Sequence, residues 1–223
     1  MNNKRVIILI GPPGSGKGTQ AEMLASRFGL AHLETSELIE DKFNNANPND
    51  GFLSEQKKRW ESGILNDPEF VVSLVAKKIK ELSSDQKGIV FSASPRTLFE
   101  TEQEIPIIEK LYDKENIKIL NIQLSEHSSI ERNSSRRICK KNRHPIPNFP
   151  EYKNIIICPT DGSPIKTRAL DKSDVIRVRY QEYLNRTAPI IVFLKTRGYR
   201  VIEINGEQPI EKVFNDITEK LND

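Results

Sequence analysis

Cysteine is nearly absent from this chain: Cys139 and Cys158 are the two thiols in 223 residues. So few thiols exclude a disulfide scaffold and are expected to stay reduced, as in a cytoplasmic protein. Long apolar runs are missing as well, and none approaches the ~18 to 20 residues that a membrane span requires. An excess of one charge is also missing. With 34 basic against 31 acidic side chains, no global field argues for nucleic acid or a membrane surface as partner. Repeats and low-complexity tracts do not occur, and Met1 to Arg5 leads straight into an apolar segment, again as expected of a cytoplasmic protein. The length suffices for one large core with small inserted lobes.

What is present is organised around Gly11-Pro12-Pro13-Gly14-Ser15-Gly16-Lys17-Gly18-Thr19. The apolar run Val6 to Ile10 before it reads as a buried parallel strand, and Gln20 to Ala25 after it reads as a helix. That is the context of a phosphate-binding loop. Phosphate is large and anionic, so several backbone N–H groups must face it at once, and glycine lets the backbone curl tightly enough to do so. A helix starting near Lys17 adds its positive dipole end, the Lys17 ammonium reaches the outer phosphates, and Thr19 offers a hydroxyl. The general motif has Ser or Thr directly after the lysine, whereas here Gly18 intervenes.

Further along, Phe28-Gly29 ends the first helix, Ala31-His32-Leu33 is long enough for a second strand, and Thr35-Ser36-Glu37 opens a helix reaching about Asn44. Turn formers fill Asn44 to Gly51, and a helix from Ser54 to Ser62 follows, ended by Gly63. Asp67 as N-cap, Pro68 and Glu69 open another helix with Val71, Val72, Val75 and Ile79 at helical spacing. Strands are expected at Ile89 to Phe91, Ile117 to Leu124 and Tyr199 to Ile204, and a closing amphipathic helix at Pro209 to Leu221. Strands alternating with helices imply an α/β fold, a three-layer sandwich with a central parallel sheet covered on both faces. Its ligands bind at the carboxyl ends of the strands, where Gly11 to Thr19 and Ser92 to Thr97 both lie. Between Ile138 and Ala169, five prolines break any long helix and only Asn154 to Ile157 looks strand-like, which reads as a lobe of short hairpins. Helical periodicity returns from Ser173 toward Leu194, with Pro189 as a kink or break.

Arginines cluster around that lobe. Arg132 and Arg136 stand four apart in a helical stretch and would share one face, with Arg137 turned about a third of a turn away. Arg168, Arg177 and Arg179 follow the lobe. A solvated basic surface is one reading. Convergence of Arg132, Arg136, Arg168 and Arg179 on polyphosphate is the other, since the planar guanidinium suits phosphate oxygens. Arg177 is assigned to the surface.

Taken together, Gly11 to Gln20 with its Gly-Lys-Gly-Thr form, Thr35, Gly63 to Val71, Pro95-Arg96-Thr97, Arg132 with Arg136-Arg137, Arg168, Arg179, Thr187-Ala188-Pro189 and Asn205-Gly206 resemble adenylate kinase of the long-lid bacterial kind, within the nucleoside monophosphate kinases. The resemblance covers nearly the whole chain. It implies a core of residues 1–33, 67–134 and 172–223, with two inserted mobile lobes: an acceptor-nucleotide lobe, 34–66, and a lid, 135–171. It implies transfer of the γ-phosphoryl group of ATP to AMP with Mg²⁺, in a monomer without nucleic-acid or membrane partners. Lys17, Arg96, Arg132, Arg136, Arg168 and Arg179 would neutralise the phosphoryl oxygens. Gly14, Ser15, Gly16, Lys17, Gly18, Thr19, Arg132, Arg136 and Gln208 would hold ATP. Thr35, Ile64, Leu65, Asn66, Ala93, Ser94, Pro95, Arg96, Glu100, Arg168 and Arg179 would hold the acceptor.

Four positions depart from the family pattern. Glu40 replaces an arginine that grips the acceptor phosphate, so Lys42, Lys57, Lys58 or Arg59 takes over or affinity falls. Ser92 replaces an aspartate of the Mg²⁺ water shell, and Glu37 replaces another. Glu100 replaces a glutamine that reads adenine. An ionised carboxylate only accepts hydrogen bonds and so suits the two donors of guanine, which keeps GMP open as acceptor beside AMP. Gln103, one turn on, is an alternative reader. An ATP-binding module or slow ATPase without an acceptor is a further alternative. In the lid, relatives carry zinc on paired Cys-x-x-Cys knuckles; Cys139, His144, Cys158 and Asp161 offer a zinc set, with Asn142 a poor ligand, against two cysteines left from a decayed site. His32 and His127 carry no motif, and Trp60 reads as packing.

Overall fold

The computed structural model describes residues 4–134, 137–141, 144–146, 154–167 and 172–222. Five parallel strands, β1 (Val6–Ile10), β2 (Ala31–Leu33), β3 (Ile89–Phe91), β4 (Ile117–Gln123) and β8 (Val201–Asn205), lie in the order β2-β3-β1-β4-β8. Every residue of β1 is buried, and its alternation sends successive side chains to opposite faces. Val6, Ile8 and Ile10 face one core, with Val75 and Ile79 of α4 (Pro68–Ser84), Ile105 and Ile108 of α5 (Leu98–Tyr112), and Ile190 of α8 (Ala188–Thr196). Ile7 and Leu9 face the other, with Ala21 and Leu24 of α1 (Lys17–Phe28) and Val213 and Ile217 of α9 (Ile210–Asn222). At about 1.5–3 kcal/mol for each fully buried large aliphatic side chain, this two-sided burial commits the strand to the sheet centre. The loop after β1 is thereby fixed at the carboxyl edge.

The expected local signals appear where the chemistry puts them. Gly29 has φ 64° and its N–H bonds to Ala25 O, as a left-handed C-terminal cap. Asp67 Oδ1 accepts from the N–H groups of Glu69 and Phe70 at 3.0 and 3.1 Å, ahead of Pro68. Helices α2 (Thr35–Asn44) and α3 (Gly51–Glu61) form the excursion between β2 and α4; α3 starts earlier than expected because Asp50 Oδ1 accepts from Leu53 N at 2.9 Å. Helix α6 (Glu126–Ser134) leads to a small antiparallel sheet of β5 (Arg137–Cys139), β6 (Pro145–Ile146) and β7 (Ile165–Thr167), ordered β6-β5-β7.

Three expectations are corrected here. Arg137 is not on a helix: it lies in β5, where it pairs with Ile146 and Thr167. Asn154 to Ile157 is not a strand either; only Ile157 forms an isolated bridge, to Pro164, and the strand is Ile165–Thr167. The last strand begins at Val201 rather than Tyr199. Past the small sheet, the helical stretch is divided into α7 (Ser173–Glu182), a π-helical segment at Tyr183–Thr187, and α8 with Pro189 in its first turn. Proline there lacks only a bond that the first turn leaves unmade. Among the described residues, no helix is long and apolar enough to cross a membrane.

Candidate functional site

A cleft of about 690 Å³ opens at the carboxyl edge of the sheet. One end is the glycine loop. Gly14 and Gly16 have φ of 79° and 87°, and a Cβ on Gly14 would stand 2.5 Å from Asn133 Nδ2, so α6 presses on the loop where only glycine fits. Ser129 Oγ donates to Pro13 O at 2.6 Å and fixes that contact. Apart from chain neighbours and the backbone of α1 itself, no atom of the described residues lies within 4 Å of a Cβ built on Gly16 or Gly18, so the backbone there faces open space. Helix α1 has no acidic residue in its first turn, leaving its positive end uncompensated. Lys17 Nζ donates to Gly11 O at 2.7 Å, Pro12 O at 2.8 Å and Ser15 Oγ at 3.3 Å. Gly14, Gly16, Lys17, Gly18, Thr19, Arg132 and Gln208 line this end. Arg132 Nη1 donates to Gly206 O at 2.8 Å, and Gln208 Nε2 to Asp216 Oδ2 at 2.6 Å. Ser15 is buried within the loop and does not line the cleft.

The opposite end is lined by Thr35, Ile64, Leu65, Asn66, Ala93, Pro95, Arg96, Glu100 and Arg179. Residues 64–66 are strung between helices: Leu65 N donates to Glu182 Oε2 at 3.1 Å, Leu65 O accepts from Arg59 Nε and Nη2 at 3.2 and 3.1 Å, and Asn66 Nδ2 donates to Gln56 O at 2.7 Å. Gly63, φ 86°, lies against Arg179, whose Cγ would be 2.9 Å from an added Cβ. Thr187 Oγ1 donates to Arg96 O at 2.8 Å, so the π-helical segment pins the arginine's backbone. Thr35 Oγ1 is a buried hydroxyl without a hydrogen-bond partner among the described residues. Glu100 completes the cap of α5: Thr97 Oγ1 accepts from Glu100 N at 3.2 Å, while Glu100 Oε2 accepts from Arg96 N at 2.6 Å. Burial pushes the Glu100 carboxyl up, opposed by Arg96.

Several expected contributors stand elsewhere. Ser94 is buried beneath the cleft against Glu104. Arg136, Arg168 and Asn142 lie outside the described residues. Arg177 is exposed, as assigned. Of the substitutes for an acceptor-phosphate arginine, Lys42, Lys57 and Lys58 are exposed and away from the cleft, and Arg59 is engaged with Leu65 O. Glu40 does not line the cleft, and Glu37 is exposed. Ser92 does, and its Oγ lies 2.8 Å from His32 Nε2, whose pKa burial lowers. Glu34, Trp60, Glu182 and Tyr183 also line it, and sequence reasoning missed them. Glu182 and Tyr183 stand three and four residues after Arg179, a spacing that shares its helix face and was a usable signal.

A second cluster lies in the small sheet. One ligand atom each from Cys139, His144, Cys158 and Asp161 falls within 4.8 Å of the others. Cys139 Sγ donates to Asp161 Oδ2 at 3.0 Å, Cys158 Sγ is 3.4 Å from His144 Nδ1, and His144 Nδ1 is 3.4 Å from Asp161 Oδ2. The bonds from Cys139 and from Ser163 hold the Asp161 carboxyl well below the usual carboxylate range. Both sulfurs are buried. Gly162, φ 70°, closes the second turn through its N–H to Cys158 O at 2.9 Å.

Comparison with known proteins gives one consistent result. The family model described as adenylate kinase matches residues 9–199. A protein named adenylate kinase from Elusimicrobium minutum is 33% identical over 219 residues, covering 97% of this chain and 98% of that protein. One from Caldicellulosiruptor saccharolyticus is 30% identical over 219 residues, covering 96% and 98%. One from Bacillus subtilis is 28% identical over 218 residues, covering 96% and 97%.

Proposed function

Because this chain belongs to the adenylate kinase family, we propose that the two ends of the cleft hold ATP and AMP and that the residues between them carry phosphoryl transfer. The protein is an ATP:AMP phosphotransferase. The observation that carries the site assignment is the single cleft, lined at one end by Lys17 and the glycine loop and at the other by Arg96, Arg179, Thr35 and Glu100. That one space accounts for two nucleotides meeting at their phosphates, which a binding module or an ATPase without an acceptor does not need.

The chemistry asks for positioning and charge compensation more than for a covalent partner. An oxygen of the AMP phosphate attacks the γ-phosphorus of ATP, its bond to the leaving ADP oxygen breaks, and negative charge spreads over the transferred group. Lys17 exchanges its loop carbonyls for phosphate oxygens, the free N–H groups around Gly16 and Gly18 receive others, and Arg132 and Arg179 flank the path. Arg136 and Arg168 join this set in our reading. The excursion 34–66 acts as acceptor lobe and 135–171 as lid, closing over 1–33, 67–134 and 172–223 to keep water from the γ-phosphate. The hard oxygen donors of Thr19 and Ser92 would hold Mg²⁺, which would supply further neutralisation of the phosphates. Ser92, lacking charge and bonded to His32, would hold it more weakly than a carboxylate.

The cluster Cys139, His144, Cys158 and Asp161 fits Zn²⁺: two thiols, one imidazole and one carboxylate, four donors gathered from turns that pack on one small core. Zinc there would cross-link the two turns and take no part in the transfer.

A coupled assay of ADP formation tests the function. ADP appears rapidly with ATP, Mg²⁺ and AMP together and only at background with ATP and Mg²⁺ alone. ATP consumption independent of AMP contradicts it.

A further inference from the structure

Residues Ser94 to Thr97 carry the chain from the end of β3 to α5, and buried side chains of α5 hold three of the four. Glu104, without exposed surface, sets its two carboxyl oxygens 2.9 and 2.8 Å from Ser94 Oγ. Glu100 Oε2 accepts from Arg96 N at 2.6 Å, and Thr101 Oγ1 donates to Thr97 O at 2.8 Å. From the far side, Thr187 Oγ1 donates to Arg96 O at 2.8 Å. Arg96 lines the cleft, whereas Ser94 and Glu104 lie behind it. Resting on the acceptor assignment above, we propose that Glu104 is a positioning residue: through Ser94 it fixes the chain two residues before Arg96, and so the direction in which that guanidinium enters the acceptor end.

Space filling does not account for this carboxyl. A group without exposed surface gives up its hydration, and an apolar side chain of the same volume would occupy that space without the loss. What the carboxyl adds is direction. Two oxygens on one hydroxyl restrict the Ser94 rotamer, and their anchor is stiff, because Ile105 and Ile108 beside it on α5 pack with Val75, Ile79 and Ile190 in the core. Burial, with the charge of Glu100, raises the Glu104 pKa well above its ordinary value against the pull of Ser94, which favours the neutral acid. A neutral acid donates from one oxygen and accepts at the other, and a glutamine amide reproduces that pair. Glu100 and Thr187 fix the peptide groups at Arg96, and Ser94 fixes the approach to it. Displacing a substrate-positioning side chain by about 1 Å can cost up to ~10² in rate, so a single bond this close to Arg96 carries weight at the site.

The experiment measures KM for AMP and for ATP in wild type, Ser94→Ala, Glu104→Leu, Glu104→Gln and Arg96→Ala, and in Ser94→Ala combined with Arg96→Ala. KM for AMP rises about tenfold in Ser94→Ala and in Glu104→Leu, while KM for ATP stays within about twofold of wild type. Glu104→Gln keeps the wild-type KM for AMP. In the Arg96→Ala background, adding Ser94→Ala raises KM for AMP no further, because the contact acts through a guanidinium already removed. Ser94→Ala leaves α5 untouched and decides the question by itself where Glu104→Leu does not fold. An unchanged KM for AMP in Ser94→Ala, equal rises in both KM values, a Glu104→Gln protein that behaves as Glu104→Leu does, or a Ser94→Ala effect that persists in full without Arg96 overturns the proposal while the wild type forms ADP from ATP and AMP. A wild type without AMP-dependent ADP formation instead overturns the assignment on which the proposal rests.

Discussion

Ser94 Oγ lies 2.9 and 2.8 Å from the two carboxyl oxygens of Glu104, a glutamate with no exposed surface. The pair is buried behind the end of the cleft that Ala93 and Pro95 line. Burial, reinforced by the neighbouring charge of Glu100, pushes the Glu104 pKa well above its ordinary value, against the lowering by Ser94. A group with a raised folded-state pKa contributes its full stability below the unfolded value and loses it as pH rises through the folded one. The thermal midpoint of the wild type therefore declines toward alkaline pH by an amount that Glu104→Gln removes. Each 1 kcal/mol of difference corresponds to about 2–4 °C for a chain of this size. Parallel midpoint curves for the two proteins across about pH 6 to 9.5 contradict the account of this pair.

Gly63 touches Arg179 closely, and the proposed acceptor site therefore includes the glycine. Gly63→Ala places a side chain at φ 86°, which is worth about 1–2 kcal/mol of strain. It also drives a methyl to 2.9 Å from Arg179 Cγ and 3.0 Å from Val175 O. The expected result is a midpoint several degrees lower, together with a raised KM for AMP and an unchanged KM for ATP. Equal changes in both constants place the effect in overall stability and remove Gly63 from the acceptor end.

Zinc in the small sheet predicts about one Zn²⁺ per purified chain and a lower midpoint after chelation, because metal that binds only the folded state stabilises it. Cys139→Ser loses the metal and the response to chelator together. A metal-free protein that ignores chelators leaves the polar network of Cys139, Asp161 and Ser163 as the whole device.

The features legible in the sequence are those whose causes are local. The glycine loop between a buried strand and a helix, the Asp67-Pro68 helix start and the Gly29 helix end each depend on a few neighbouring residues. Arg137 shows the limit: its helical spacing from Arg132 is local, but its strand partners, Ile146 and Thr167, are remote and prevail. Glu104 shows another, because a glutamate in Glu102-Gln103-Glu104 reads as solvated, while its place one turn after Glu100 and one before Ile108 puts it on the inward face of α5. The knuckle spacing pointed to Cys139, Cys158 and Asp161 with His144 as a substitute donor, and the pairing of β5 with β6, through Cys139 N to His144 O at 3.0 Å, brings that histidine beside them.

Lys17→Met tests the central claim most directly. The ammonium now rests on Gly11 O and Pro12 O, and its removal leaves the cleft in place while the charge developing on the transferred group goes uncompensated. Turnover of ATP and AMP by Lys17→Met falls by a factor of order 10² or more, with a cooperative thermal transition like that of the wild type. Near-normal turnover by a folded Lys17→Met protein contradicts the assignment of this cleft as the site of phosphoryl transfer.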